Sequence, residues 1–148
     1  MLSSKARTIG TLFVLCLIGG CATTAVKEER PSASIEEHSV WQGTFVQVGW
    51  GAYPMILFIS SRTGDAFEGM TWYPTLDNGL LTISGQIKPD GVITFTEEEV
   101  IRGEGSEGSK GGVLSGGQYT ANLEGNTLEG LSFRNNIKVG HFVLKLAD

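Results

Sequence analysis

The alternation of apolar and polar residues from Trp41 onward is the feature that most constrains the fold. Runs such as "LLTISGQIK" (80–88) place apolar residues at nearly every second position, and clusters of Gly, Asn, Asp or Pro separate the runs. A period of two is typical of half-buried β-strands, whereas an amphipathic helix needs apolar residues three or four positions apart. The sequence therefore predicts an all-β domain.

The same pattern predicts about eight short strands joined mostly by tight turns. Turn signals such as "RTGD" and "KPDG" supply residues that accept a positive φ or a preset φ. Consecutive strands with short connections predict an antiparallel up-and-down meander, which eight strands can close into a small barrel without exposed edges. An open β-sandwich is the structural alternative. The predicted strands cover residues 41–49, 54–60, 66–73, 80–88, 92–101, 117–124, 127–134 and 139–146.

Three predicted strands carry a glycine at mid-strand, in "FEGMTW", "ISGQI" and "LEGLSF". Glycine weakens a strand interior because it has no side chain to pack. Its recurrence therefore predicts either bends that let a barrel curve or positions where another group approaches the backbone.

Several segments together resemble the strand plan of calycin-type barrels, in particular the avidin-like order. They are "WQGTFVQVG", "MILFISSRTGDAFEGMTWYP", "SGGQYTANLEG" and "VGHFVL", and they span most of residues 41–146. The resemblance implies an up-and-down barrel of eight strands whose open end could hold a small apolar molecule.

Residues 1–20 have the pattern of a secretory signal, with Lys5 and Arg7 ahead of an apolar run over 8–18 that is short for a bilayer span. The "IGGC" that ends at Cys21 resembles the bacterial lipobox. That resemblance implies cleavage before Cys21 and lipidation of the cysteine with diacylglycerol and a fatty acid such as palmitate. An ordinary signal peptide or an uncleaved anchor is the alternative.

The residue after Cys21 is Ala22 rather than Asp, so the resemblance implies an outer-membrane lipoprotein facing the periplasm. Residues 22–40 are rich in Ser, Thr, Ala and charge, so 21–40 is predicted to be the lipidated cysteine and a flexible tether. Residues 41–148 then form one β-barrel domain. Without the signal, 9 basic residues face 16 acidic ones. The net charge of −7 argues against nucleic acid as a partner.

A cluster of aromatic residues early in the chain predicts the ligand site. Trp50 lies on a Gly-flanked stretch expected to be the first hairpin loop, where an aromatic side chain could cover a ligand at the barrel mouth. Core packing is the competing interpretation and is favoured for Trp41 and Trp72. The candidate ligand-binding residues are Trp41, Trp50, Tyr53, Trp72 and Tyr73.

No motif predicts catalysis. The run Glu97, Glu98 and Glu99 could supply an acid and a base, but strand alternation points Glu98 away from its neighbours, so a solvated face or sheet edge is expected. The two histidines, His38 and His141, have no cysteine beside them, which argues against a structural zinc site.

The stretch "GEGSEGSKGG" (103–112) lacks the context of a phosphate loop and is predicted to be a long flexible loop, either a flap or disordered. The leading functional hypothesis is thus a non-enzymatic lipoprotein that uses no metal and no cofactor beyond its covalent lipid. It would bind a small hydrophobic or amphiphilic ligand in the barrel. The alternative is a partner-binding module for an envelope protein or an inhibitor of a foreign enzyme.

The lipid anchor makes a first prediction. Two or three acyl chains hold a protein at a membrane for long periods, whereas a chain without them has no such anchor. We expect Cys21→Ser, expressed in a bacterium with an outer membrane, to move the protein from the membrane fraction and to remove the acyl mass from intact-protein mass spectra. An unmodified Cys21 in the wild-type protein would contradict lipidation.

Overall fold

The computed structural model describes residues 34–103, 105 and 112–148, so the signal, Cys21 and most of the expected tether lie outside the described residues. Eight β-strands follow one another along the chain, and this part of the protein contains no α-helix. The strands are β1 (Val40–Gln47), β2 (Gly51–Thr63), β3 (Ala66–Tyr73), β4 (Gly79–Ile87), β5 (Ile93–Arg102), β6 (Gln118–Glu124), β7 (Thr127–Arg134) and β8 (Ile137–Leu146). Within the described ranges, no helix is sufficiently long and apolar to span a membrane.

Every strand pairs antiparallel with its neighbour in sequence, and β1 also pairs with β8, so the sheet closes on itself. The closing ladder runs from Trp41 opposite Leu146 to Gln47 opposite Gly140. The predicted up-and-down barrel is therefore confirmed, and the open sandwich is excluded. The predicted strand positions agree with the observed ones to within a few residues, and the largest difference is the greater length of β2.

The barrel interior is packed with apolar side chains. Along each strand, alternate residues point inward, and an eight-stranded barrel has an interior just wide enough for side chains to fill. Trp41, Met55 and Phe142 are fully buried there. Other members of the core are Phe45, Leu57, Ile59, Phe67, Leu81, Ile83, Ile93, Phe95, Tyr119, Ala121, Leu128 and Leu144.

The two ends of the barrel differ. We call the mouth the end that carries the connections 48–50, 74–78, 103–117 and 135–136, and the base the opposite end. At the base, residues 34–39 pack against the strands.

Ile35 closes the base, where it is fully buried. Its carbonyl accepts a hydrogen bond of 2.7 Å from the Arg62 guanidinium, and the His38 amide donates to the Ile59 carbonyl at 2.8 Å. The predicted tether therefore extends too far, because residues 34–40 belong to the barrel. Ile35 is apolar and packs into the base. The composition of 22–40 as a whole is polar, so the prediction from composition did not single out this residue.

The mid-strand glycines lie where other groups approach closely. A β-carbon on Gly69 would collide with the carbonyl group of Phe58 on β2. At Gly85 the space of a side chain is taken by the Phe67 ring, and at Gly130 by the Thr120 carbonyl, Ala121 and Phe142. Of the two explanations offered by the sequence, close approach is the one that the geometry shows at all three positions.

Gly69→Ala tests this packing. The added methyl group must displace the β2 backbone, and overpacking of this kind costs about 1–3 kcal/mol. We expect the urea unfolding midpoint to fall accordingly, whereas Glu68→Ala, at the exposed neighbouring position, should change it little. Equal midpoints for the two variants would show that the Phe58 carbonyl group does not prevent a side chain at position 69.

Candidate functional site

A partly enclosed pocket of about 210 Å³ lies at the mouth, between the ends of the strands. Its walls come from every strand except β4, from the connections 48–50 and 74–78, and from the segment 112–117. The residues that give the pocket its chemistry are Phe45, Trp50, Tyr53, Tyr73, Glu97, Tyr119, Ser132 and Arg134.

A carboxyl group and three hydroxyl groups meet in the pocket wall. Glu97 on β5 is only 4% exposed, and its Oε1 lies 2.7 Å from both Thr71 Oγ1 and the Tyr73 hydroxyl. Its Oε2 lies 3.0 Å from the Tyr119 hydroxyl, and the two tyrosine hydroxyls are 2.8 Å apart. We call Thr71, Tyr73, Glu97 and Tyr119 the carboxyl cluster.

The expected solvated position of Glu97 is wrong. Glu97 continues the inward series of Ile93 and Phe95, and the phase of this alternation was the sequence signal that could have found it. Irregularities in the β4–β5 pairing then shift the alternation, so Glu98 and Glu99 are both exposed. The expectation therefore holds for two of the three glutamates and fails for the one that lies among buried hydroxyls.

Burial governs the electrostatics of the carboxyl cluster. It raises the pKa of Glu97 above its ordinary value of 4.5, although the hydroxyls of Thr71, Tyr73 and Tyr119 and the charge of Arg134 act in the opposite direction. Burial, followed by the nearby Glu97 carboxyl, raises the pKa of Tyr73 and Tyr119 well above 10.0. The cluster therefore favours neutral forms.

Aromatic rings surround the cluster. The Phe95 and Tyr119 rings stack with centroids 4.5 Å apart and planes 4° from parallel. Phe45 meets Tyr73 and Tyr119 edge-to-face, at 6.1 and 6.4 Å. Of these rings, Phe45, Tyr73 and Tyr119 line the pocket, and they form an aromatic floor that a ligand would contact.

One buried hydroxyl has no partner. Ser132 on β7 lies opposite Tyr119 in the β6–β7 ladder, lines the pocket and is 1% exposed. Its Oγ has no hydrogen-bond partner among the described residues. An unsatisfied buried hydroxyl costs about 1–3 kcal/mol, so such a group next to a pocket marks a position where a ligand could supply the missing bond.

The connection between β5 and β6 covers part of the cluster. The Gly116 amide donates to the Glu97 carbonyl at 2.7 Å, and the Glu97 amide donates to the Gly117 carbonyl at 2.8 Å. A β-carbon on Gly117 would lie 2.5 Å from Glu97 Oε2, so glycine leaves the cluster open to the pocket. The expected flexible loop is described only in part: Gly103 and Gly105 bond to Val113, and residues 104 and 106–111 lie outside the described ranges.

Arg134 on β7 brings a positive charge to the pocket. Its Nη1 donates to the Ser115 carbonyl at 2.9 Å and its Nη2 to the Leu114 carbonyl at 3.0 Å. Apart from Glu97, it is the only formally charged side chain among the described residues of the lining. The guanidinium therefore both holds the 112–117 segment and sets the charge of the pocket.

The structure brings together three of the five aromatic residues expected at a ligand site. Trp50, Tyr53 and Tyr73 line the pocket, and the Tyr53 hydroxyl donates to the Trp50 carbonyl at 3.0 Å. Trp41 is in the core towards the base, as the competing interpretation expected, and its indole N–H donates to Ser39 Oγ. Trp72 is on the outer wall with 37% of its surface exposed, so its expected core packing is wrong.

Of the eight residues that give the pocket its chemistry, the sequence prediction missed five: Phe45, Glu97, Tyr119, Ser132 and Arg134. No group of three or more metal-ligating side chains occurs in 34–103, 105 and 112–148, and His38 and His141 are both exposed. In the carboxyl cluster, hydrogen bonds join side-chain oxygen atoms from three strands of the barrel wall.

Comparison with known proteins adds no relative: no family model, no curated protein and no solved structure matches this chain. The class that the structure itself defines is an eight-stranded up-and-down β-barrel with one closed end and one end that holds a polar, aromatic pocket.

The raised pKa of Glu97 predicts a pH-dependent stability. A carboxyl group whose pKa is higher in the folded than in the unfolded state holds its proton more tightly in the folded state. Its contribution to stability is complete at a pH below the unfolded pKa, and it is lost as the pH rises through the folded pKa. Glu97→Gln cannot ionise. We expect wild type to lose stability relative to Glu97→Gln from about pH 4.5 upward, by at most about 1.4 kcal/mol per pH unit.

Urea unfolding of both proteins at a series of pH values measures this difference. Glu98→Gln, at an exposed position of the same strand, is the matched control and should follow wild type at every pH. A constant difference between wild type and Glu97→Gln across the range would show that the folded and unfolded proteins bind protons equally at position 97.

Proposed function

We propose that this protein is a lipid-anchored lipoprotein of the cell envelope, at the outer membrane and facing the periplasm, that binds a small amphiphilic molecule at the barrel mouth. The observation that carries the binding proposal is the unpartnered, buried hydroxyl of Ser132 in the wall of an otherwise well-bonded pocket. The proposal involves no catalytic step and no cofactor beyond the lipid on Cys21. Nucleic acid is not among the proposed partners.

The size of the pocket limits the ligand. A cavity of about 150 Å³ is known to hold one benzene molecule, and typical drug-sized ligands occupy pockets of about 300–1,000 Å³. At about 210 Å³, this pocket suits a single ring with one or two small substituents. The mixture of aromatic rings and hydroxyls in its wall favours an amphiphilic ligand over a purely hydrophobic one.

The position of the N-terminal segment supports the geometry of the proposal. Ile35 enters the barrel at the base, so an anchor at Cys21 would attach through residues 22–33 to the end opposite the mouth. The pocket would then not be covered by the chain's own attachment point.

Partner binding is the second candidate function, and exposed apolar residues near the mouth favour it. Val48 is 67% exposed, Trp50 40% and Ile137 68%. Val48 and Trp50 lie on the connection between β1 and β2, and Ile137 is the first residue of β8, which pairs with β1. Exposed apolar residues that cluster in this way often mark contacts with another protein. An envelope protein is the partner proposed in this case.

Native mass spectrometry of residues 22–148, exported to a bacterial periplasm, tests ligand binding. We expect a discrete additional mass that denaturation removes. Trp50→Ala should reduce its occupancy several-fold because Trp50 lines the pocket, whereas Trp72→Ala, a similarly exposed tryptophan on the outer wall, should not.

Equal loss of the additional mass in both variants would show that binding does not involve the mouth. A clean protein mass in wild type would favour the second candidate, and capture of an envelope protein by wild type but not by a Val48→Lys, Ile137→Lys variant would support it.

A further inference from the structure

The hydrogen count of the carboxyl cluster favours a neutral Glu97. Four short contacts join its oxygens: Thr71 to Oε1, Tyr73 to Oε1, Tyr119 to Oε2, and Tyr73 to Tyr119. Each contact of 2.7–3.0 Å needs one hydrogen between its two oxygens. The three hydroxyl groups supply three hydrogens, so an ionised Glu97 leaves one contact without a hydrogen.

A neutral Glu97 supplies the fourth hydrogen. Tyr119 donates to Oε2 when Glu97 is ionised. In the neutral form this bond is reversed: Oε2–H donates to the Tyr119 hydroxyl, Tyr119 donates to Tyr73, and Tyr73 donates to Oε1. Thr71 donates to the same Oε1, which accepts both bonds at 2.7 Å as a carbonyl oxygen can. Every oxygen of the cluster is satisfied in this ring, and its bonds point in one direction around it.

Neutral Glu97 changes the charge of the pocket. The titratable or charged groups that face Glu97 are Tyr73 from β3, Tyr119 from β6 and Arg134 from β7, while Glu98 and Glu99 on its own strand are exposed. Burial keeps both tyrosines neutral by raising their pKa. Arg134 is then the single formal charge among the described lining residues, so the pocket carries one positive charge.

We propose that the pocket selects a small ring-bearing monoanion, whose negative group pairs with Arg134 and whose ring lies on the aromatic floor, with Ser132 supplying a further hydrogen bond. This inference rests on the proposed function and specifies its ligand class. A guanidinium offers five donors, of which the carbonyls of Leu114 and Ser115 occupy two, so a carboxylate can bind without displacing them.

A cationic ligand fits the same pocket poorly. It would lie beside Arg134, and it could gain an anionic partner only if Glu97 released the proton that completes the ring. Affinity for an anion should therefore fall as the pH rises and Glu97 ionises, whereas affinity for a cation should increase.

Three probes of matched size test the proposal: benzoate, benzamide and benzylamine, each with one ring and one small substituent. Binding to residues 22–148 is measured by titration followed by amide chemical shifts in ¹H–¹⁵N spectra. We expect benzoate to bind about tenfold or more tightly than benzylamine, with shifts at Gly117, Ser132 and Arg134, because hydrogen bonds to charged groups contribute more than neutral ones.

Two variants separate the residues' roles. Arg134→Gln should weaken benzoate about tenfold more than it weakens benzamide, because both probes lose the support that Arg134 gives the 112–117 segment and only benzoate also loses its charged partner. Glu97→Gln keeps a neutral side chain that can donate to Tyr119 and accept from Tyr73 and Thr71. The Glu97→Gln variant should still bind benzoate, and its affinity for benzoate should not fall as the pH rises.

The protonation of Glu97 has its own readout in infrared spectra. The band of a neutral carboxylic acid should be present in wild type at neutral pH and missing in Glu97→Gln, and its absence from both would overturn the hydrogen count. Preference for benzylamine, or equal loss of benzoate and benzamide in Arg134→Gln, would overturn the monoanion while leaving small-molecule binding intact. If none of the three probes binds, the proposed function fails together with the inference.

Discussion

The pairing of β1 with β8 is the constraint on which the rest of this structure depends. Closure removes both sheet edges and fixes the width of the interior, because strand number and diameter are linked in a barrel. Eight strands leave room only for side chains, and Trp41, Met55 and Phe142 fill it. A pocket can form only where the inward side chains stop filling the space, which happens at the mouth because Ile35 closes the other end.

The carboxyl cluster stands at this transition from packed core to pocket. Burying a carboxyl group is unfavourable unless every oxygen is hydrogen-bonded, and a fully satisfied polar network rigidifies the site that contains it. The Glu97 carboxyl satisfies this condition through side chains from β3 and β6. The Glu97 backbone also bonds to the 116–117 segment. Glu97 therefore connects three parts of the wall at the pocket, namely β3, β6 and the 116–117 segment. Ser132 lies beside the cluster with no hydrogen-bond partner among the residues that the structure describes, and the proposed ligand binding rests on this contrast.

Arg134 links the shape of the pocket to its charge. The guanidinium bonds to two consecutive carbonyls of the β5–β6 connection, so the residue that supplies the positive charge also fixes one wall. A ligand that pairs with Arg134 would strengthen this arrangement, and a ligand that repels it would loosen the wall. The proposed selection by charge would therefore depend on the same side chain that holds the 112–117 segment in place.

The sequence by itself determined the strands, their antiparallel order and the inward faces, because these follow from a period of two and from turn residues that act over a few positions. It also named Trp50, Tyr53 and Tyr73 among five candidate ligand-binding residues, and these three line the pocket. It favoured core packing for Trp41, which is in the core, and for Trp72, which is on the outer wall. Only the tertiary structure decided that Glu97 meets Thr71, Tyr73 and Tyr119, because these residues are 22 to 26 positions apart in sequence and converge only through closure and register. The irregular β4–β5 pairing likewise separates Glu97 from its two exposed neighbours. Local patterns specify elements, whereas a site assembled across a closed barrel depends on how those elements are registered against one another.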